Sequence, residues 1–158
     1  MSNYQETVFS KVTTSVLGAV TLALLSLWVY QVAVAPIGTD PAPNTFYLLL
    51  AVFFAAMTFN FRKLVIKISG EGIKVGFGVF KKSVPWKNIE DCYIDETSAI
   101  RYGGWGVRFS RVKGNWRRVY NVFGGPRVVI RLKTGFFREL AFSTRNPEKV
   151  VEKVKERI

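Results

Sequence analysis

No histidine occurs anywhere in the 158 residues, and cysteine occurs once, as Cys92. The first absence removes the side chain best suited to moving a proton near neutral pH and the commonest metal ligand. The second rules out an internal disulfide and suits a reducing compartment. Charge is also missing, but only locally. None falls between Val12 and Thr39, and none between Pro41 and Phe61.

What is present divides at Arg62. Beyond Phe61 lie 22 of the 23 Lys and Arg and 9 of the 11 Asp and Glu, so the chain from Arg62 carries +13 and the part before it −1. A helix crossing a hydrocarbon core of roughly 30 Å needs about 20 mainly apolar residues. Residues 12–35, VTTSVLGAVTLALLSLWVYQVAVA, and residues 45–61, TFYLLLAVFFAAMTFNF, are read as two such spans. Between them PIGTDPAPN, with three prolines and a glycine, continues neither helix and forces a turn, giving an antiparallel hairpin.

Lys11 precedes the first span, Arg62, Lys63 and Lys67 follow the second, and the loop has no positive charge. The positive-inside rule then places both termini in the cytoplasm, in a multi-pass protein of the cytoplasmic membrane, with Trp28, Tyr30 and Tyr47 towards the outer interface. Lys11, the apolar run and Ala33-Val34-Ala35 imitate a signal peptide, but the run is long and Pro36 would occupy the first mature position. Small residues recur every fourth position, at Ser15, Ala19 and Ala23 and at Ala51 and Ala55, and are assigned to packing within the hairpin, with dimerisation as the alternative. Gln31 and Asn60 lie near span ends, so no ion pathway is expected.

From Leu64 the pattern changes to alternation. Leu64, Ile66 and Ile68 share one face, SGEG turns, and Ile73, Val75, Phe77 and Val79 share the next. KKSVPW interrupts with Pro85. Further strands are expected at IEDCYIDET, 106–112, 117–123, 127–133 and 136–143, seven in all. RNPEKVVEKVKERI closes the chain as one amphipathic helix, with Asn146 as N-cap, Pro147 in the first turn and Val150, Val151, Val154 and Ile158 as its apolar stripe. The expected division is therefore 1–63, an N-terminal segment and hairpin, and 64–158, a cytoplasmic domain.

VPWKNIEDCYI (84–94), YGGWGVR (102–108), VVIRLKTG (128–135) and FSTRNPEKVVEKV (142–154) carry a resemblance. Together they look like the prokaryotic membrane proteins in which transmembrane helices precede a bacterial pleckstrin-homology-like domain, a family largely without an assigned activity. The resemblance implies a membrane-anchored α+β protein whose seven-stranded β-barrel or sandwich is closed by a C-terminal helix and serves as a binding scaffold. Lipid-binding relatives of that fold use cations in the first hairpin loop, and SGEG has none, so that site is not transferred.

Chemistry finds little purchase. GGWGVRF has Phe109 where a dinucleotide loop needs its third glycine, and no Gly-Lys-Ser/Thr follows. Gly103, Gly104 and Gly106 instead suit a turn or bulge of positive φ. Cys92 alternates into a core position. Glu90-Asp91 and Asp95-Glu96 point to opposite faces of a strand, while Asp91, Tyr93 and Asp95 share one face and answer nearby cations. No enzyme, cofactor or metal site is expected. The candidate surface is the basic hairpin of Arg108, Arg111, Lys113, Trp116, Arg117 and Arg118.

On these grounds the chain is expected to be a membrane-anchored, non-enzymatic binding or scaffolding module whose basic domain meets acidic lipid headgroups or another membrane protein. The alternative is a structural subunit of a membrane complex or homo-oligomer with the domain as assembly module. Nucleic acid is not expected as a partner, for want of a recognition helix or RNA-binding aromatic signature.

Overall fold

The computed structural model describes residues 3–97 and 102–158. The chain forms two compact units. One is Lys11–Arg62, and the other joins the residues up to Ser10 with Lys63–Ile158.

The first unit is a pair of helices, α1 (Lys11–Ala33) and α2 (Asn44–Phe61). At 23 and 18 residues they extend about 34 and 27 Å, and both are long and apolar enough to cross a bilayer. Three of their hydroxyls are satisfied within the helix: Thr21, Ser26 and Thr58 donate to the carbonyls of Leu17, Leu22 and Phe54 at 2.7–2.9 Å. Gln31 is a loop fastener. Its Nε2 donates to the Ala42 carbonyl at 2.6 Å and to Asn44 Oδ1 at 2.7 Å, tying the end of α1 to the start of α2.

The small-residue assignment needs correction on α1. Ser15, Ala19 and Ala23 are exposed, and the covered positions include Thr13, Leu17, Thr21, Leu24, Trp28 and Gln31. A strict four-residue spacing drifts about 40° per step around a helix, whereas alternating fours and threes stay on one seam. On α2, Ala51 is buried and Ala55 half-buried, as assigned.

The second unit is α+β. A four-stranded antiparallel sheet runs in chain order through β1 (Tyr4–Phe9), β2 (Lys63–Ile68), β3 (Gly72–Phe77) and β4 (Phe80–Pro85). A five-stranded sheet contains β5 (Ile89–Ile94), β6 (Gly106–Val112), β7 (Asn115–Asn121), β8 (Arg127–Leu132) and β9 (Glu139–Ser143), in the order β5-β8-β9-β7-β6. Neither sheet closes into a barrel. Nine strands are thus present among the described residues, against the seven expected.

The extra strands have clear causes. β1 was assigned to the segment before the hairpin, yet it pairs with β2 from Tyr4 opposite Ile68 to Phe9 opposite Lys63. Its inward position next to Val8 is the acid Glu6, which hides the alternation. Glu6 faces in because Thr144 Oγ1 and the Arg145 N–H donate to its carboxylate at 2.6 Å each, and Tyr4 Oη at 2.8 Å. β4 contains Pro85, and that is tolerated because β4 is an edge strand, where a missing N–H breaks no ladder bond. Exposed Lys81 and Lys82 guard the same edge against further pairing.

Leu64, Ile66, Ile68, Ile73, Val75, Phe77 and Val84 form the buried face of the first sheet. Phe77 meets Tyr120 of the second sheet with ring centroids 6.4 Å apart. Val79, expected on that inner face, is exposed in the β3–β4 turn. Gly72 shows why β3 and β4 lie so close: a Cβ there would overlap the Val84 carbonyl oxygen. β7 and β9 run parallel, which lets the β8–β9 hairpin lie beside the β6–β7 hairpin. The closing helix α3 (Pro147–Lys155) buries Val150 and Val154 and packs on β5 and β8, and Ile158 stays exposed. Pro147 stands in its first turn as expected, but Asn146 makes no side-chain cap.

Two outcomes follow for stability. Glu6→Ala should lower the unfolding free energy by about 1–3 kcal/mol, because it strands the buried Thr144 hydroxyl at the α3 entrance. Replacing Ser10–Arg62 by Asn-Gly, a two-residue hairpin turn, should give a soluble chain that melts cooperatively by circular dichroism. The plain fragment 63–158 should melt at lower temperature; equal midpoints would show that β1 is dispensable.

Candidate functional site

β6 and β7 form a hairpin in which Lys113 (φ 48°) and Gly114 (φ 88°) occupy the turn, one residue before the Gly114-Asn115 corner expected. Both positive φ values match a tight hairpin turn whose twist fits the flanking strands. Strand alternation then separates the six candidate residues. Arg111 lies opposite Trp116 and Phe109 opposite Arg118, on one face; Arg108 lies opposite Val119 and Ser110 opposite Arg117, on the other.

Arg108, Arg111, Lys113 and Trp116 are exposed. Arg108 Nε donates to the Trp105 carbonyl at 3.1 Å and Arg111 Nε to that of Gly114 at 3.2 Å, so both bases are held to the backbone while their charge remains in solvent. Arg118 is half-buried. Arg117 is 3% exposed and does not belong to the surface cluster at all.

Arg117 instead centres a buried network. Its Nη2 lies 2.8 Å from Glu139 Oε2 and its Nη1 3.1 Å from Asp95 Oδ1, and Nη1 also donates to the Tyr102 hydroxyl. Arg127 Nε reaches Asp95 Oδ2 at 3.2 Å, Tyr102 Oη donates to the same oxygen at 2.7 Å, and Tyr93 Oη donates to Glu139 Oε1 at 3.0 Å. Two cations thus face two carboxylates, and two tyrosines fill the remaining acceptor sites. Asp91, expected to answer a cation, accepts the Cys92 N–H at 2.7 Å instead.

Tyr93, Asp95, Arg117 and Glu139 line one side of a cavity of about 630 Å³ between β5, the β6–β7 turn and α3. Burial raises the Asp95 pKa, but hydrogen bonds from Tyr102 and Thr97, with Arg117 beside it, outweigh burial and hold the carboxyl below its ordinary value. A carboxylate saturated with donors in this way is a poor proton donor or acceptor. Burial, with Asp91 nearby, pushes the Cys92 thiol up to about 12, so it is no ready nucleophile.

The other face holds residues that the strand reading overlooked. Phe136 and Phe137 fall in the turn before β9 and not in a strand beginning at 136. Asn88 pins that turn: its Oδ1 accepts from the Thr134 N–H at 2.9 Å and Thr134 Oγ1 at 2.8 Å. The Arg138 N–H donates to the Trp116 carbonyl at 3.0 Å, which fixes the turn beside β7. Four rings then lie in a row. Trp116 stacks on Phe136 at 5.9 Å, Phe136 meets Phe137 edge-on at 5.1 Å, and Phe137 stacks on Phe109 at 5.1 Å.

Phe136 is 72% exposed, Phe109 57% and Trp116 40%. Arg118 lies over Phe137 at 4.6 Å and over Phe109 at 5.5 Å, and exposed Arg111, Lys113, Lys133 and Arg138 stand on the same two hairpins. The signal available in the sequence was the Phe136-Phe137 pair directly after Gly135: neighbouring strand residues cannot both face inward. Contiguous exposed aromatic surface rimmed by cations marks an interaction face.

For the buried network, Asp95→Asn should cost about 3–5 kcal/mol by leaving Arg117 and Arg127 under-compensated. Because the folded pKa of Asp95 lies below the unfolded value of about 3.9, its contribution is full above that pH and drains as the pH falls towards the folded value. Urea unfolding at pH 3 to 6 should therefore show stability falling with acid in the wild type and a flatter profile in Asp95→Asn; identical slopes would remove Asp95 as the source. No protein-family model matches the chain, and no curated protein matches it.

Proposed function

We propose that the protein is a membrane-anchored, non-enzymatic binding module of pleckstrin-homology-like type, held with both termini on the cytoplasmic side, whose aromatic and basic face meets acidic lipid headgroups. The observation that carries the reading is the row Trp116-Phe136-Phe137-Phe109 with Arg111, Lys113, Arg118 and Arg138 around it. Tryptophan and phenylalanine favour the headgroup region, and each nearby Lys or Arg adds about 1 kcal/mol at an anionic leaflet. Two apolar helices long enough to span a bilayer tether the unit at two points, because β1 enters α1 and α2 enters β2. Paired strands at both ends favour both ends emerging on one side. Two sheets with a closing helix support the fold type, while the open sheets and the parallel β7–β9 pair depart from its simplest form.

The exposed Ser15, Ala19 and Ala23 stripe on α1 favours a second reading, assembly through the helices. A strictly monomeric full-length protein in mild detergent would count against it. For the lipid reading, the chain with Ser10–Arg62 replaced by Asn-Gly should co-sediment with vesicles containing phosphatidylglycerol in preference to neutral ones at physiological salt. Arg111→Gln and Lys113→Gln should each weaken that binding about 5-fold, corresponding to about 1 kcal/mol. Absence of any anionic preference would sink the reading.

A further inference from the structure

A groove of about 380 Å³ runs beneath Phe136 and Phe137 of the aromatic row, within the size range of small-molecule sites, about 300–1,000 Å³. It is built like an amphiphile in negative. Val84, Leu132 and Leu140 supply apolar walls from three strands, and Phe136 and Phe137 cover them from the β8–β9 turn. Arg118 and the exposed Lys82 supply positive charge. Glu139 also lines the groove, but its carboxylate is committed to Arg117 and Tyr93.

Arg118 is the residue that asks for a ligand. Its guanidinium lies over Phe137 and Phe109 and shares a hydrogen bond with Tyr120, yet its Nε is buried without a hydrogen-bond partner among the described residues. A buried donor left unmade costs free energy, and an anionic oxygen placed in the groove would relieve it with a charge-assisted bond. Water alone could satisfy the donor but would leave the apolar walls wet. An anion joined to a short apolar segment satisfies both.

Resting on the lipid reading above, we propose that this groove is a stoichiometric site for one anionic lipid. Arg118 and Lys82 hold the phosphate, and the first part of an acyl chain lies against Leu132, Leu140 and the two phenylalanines. The surface cations Arg111 and Lys113 do not line the groove, so they contribute diffuse attraction to the membrane while Arg118 contributes selection of a single headgroup.

The test uses the full-length protein in neutral detergent micelles with phosphatidylglycerol carrying a photoreactive group near the start of one chain, and the matching phosphatidylcholine as control. Labelling by the anionic probe is expected on peptides containing residues 82–85 and 132–140, at least 5-fold above the neutral probe. Arg118→Gln should reduce it about 10-fold, and Lys82→Gln about 3-fold. Lys74→Gln, at an exposed cation of β3 outside the groove and outside the aromatic face, should leave it within 2-fold. Lys82 is exposed on an edge strand, so its variant keeps the test decisive if Arg118→Gln fails to fold, which a thermal melt would reveal. Label confined to residues 11–62, equal labelling by the neutral probe, or labelling indifferent to both Arg118 and Lys82 would overturn the proposal. If vesicle binding remains anionic-selective while the groove stays unlabelled, the groove site fails and the surface reading stands; if both vanish, both fail.

Discussion

Residues from either side of the apolar hairpin meet in one antiparallel ladder, Phe9 opposite Lys63 and Tyr4 opposite Ile68, and most of the β unit is arranged around that pairing. β1 completes the inner face of the first sheet, with Val8 over Leu64. Through Glu6 it also supplies the carboxylate that receives Thr144 and the Arg145 N–H at the entrance to α3. The helices are therefore an excursion from the middle of a hairpin, not an appendage in front of a domain. Closing a loop across so many residues would cost entropy in a flexible chain. Here the excursion is two packed helices fastened at the far end by Gln31, so much of that cost is met by structure that forms locally.

The cations of the β6–β7 hairpin show how strand geometry decides what charge is for. Five of them lie close together in the sequence, yet the period of two sends Arg117 inward and Arg111 outward, and leaves Arg118 against Phe137 and Phe109. An inward arginine must be matched or it destabilises the fold, and Asp95, Glu139, Tyr93 and Tyr102 match it. Asp95, expected to answer a nearby cation, does so, and with Glu139 it is absorbed in matching Arg117 and Arg127. Surface charge is what remains after that matching.

Legibility followed locality. The helices were plain because their signal, composition over some twenty residues, needs no partner. α3 and the β2–β3 hairpin were plain for a similar reason, since each buries its own alternating or 3.6-period face. β1 was concealed by Glu6, a polar residue facing inward only because a segment more than a hundred residues later supplies its donors. β4 was concealed by Pro85 and two lysines, which are permitted there because none of the described strands pairs with its outer edge. The aromatic row could not be assembled from spacing, because Phe136 and Phe137 join Phe109 and Trp116 only through the parallel β7–β9 pairing. Of the six candidate residues, Arg111, Lys113, Trp116 and Arg118 share the turn and one face of the hairpin, whereas Arg108 and Arg117 point to the other face.

Anchoring also changes what strength of contact is needed. On the proposed reading, a unit tethered at two adjacent strands meets the membrane as an intramolecular event, at an effective concentration set by the tether and not by the amount of protein. A few cations at about 1 kcal/mol each are then enough to hold a face down, although the same contacts would be weak for a free protein. Weak contacts of that kind do not discriminate well among acidic surfaces. Discrimination requires a group that is costly to leave unpaired, and in this face the buried, unpartnered Nε of Arg118 is such a group. The outer lysines and arginines and the inner arginine thus answer different requirements, adhesion for the former and choice for the latter, which is why one cluster in the sequence is divided between solvent and stacked rings in the fold.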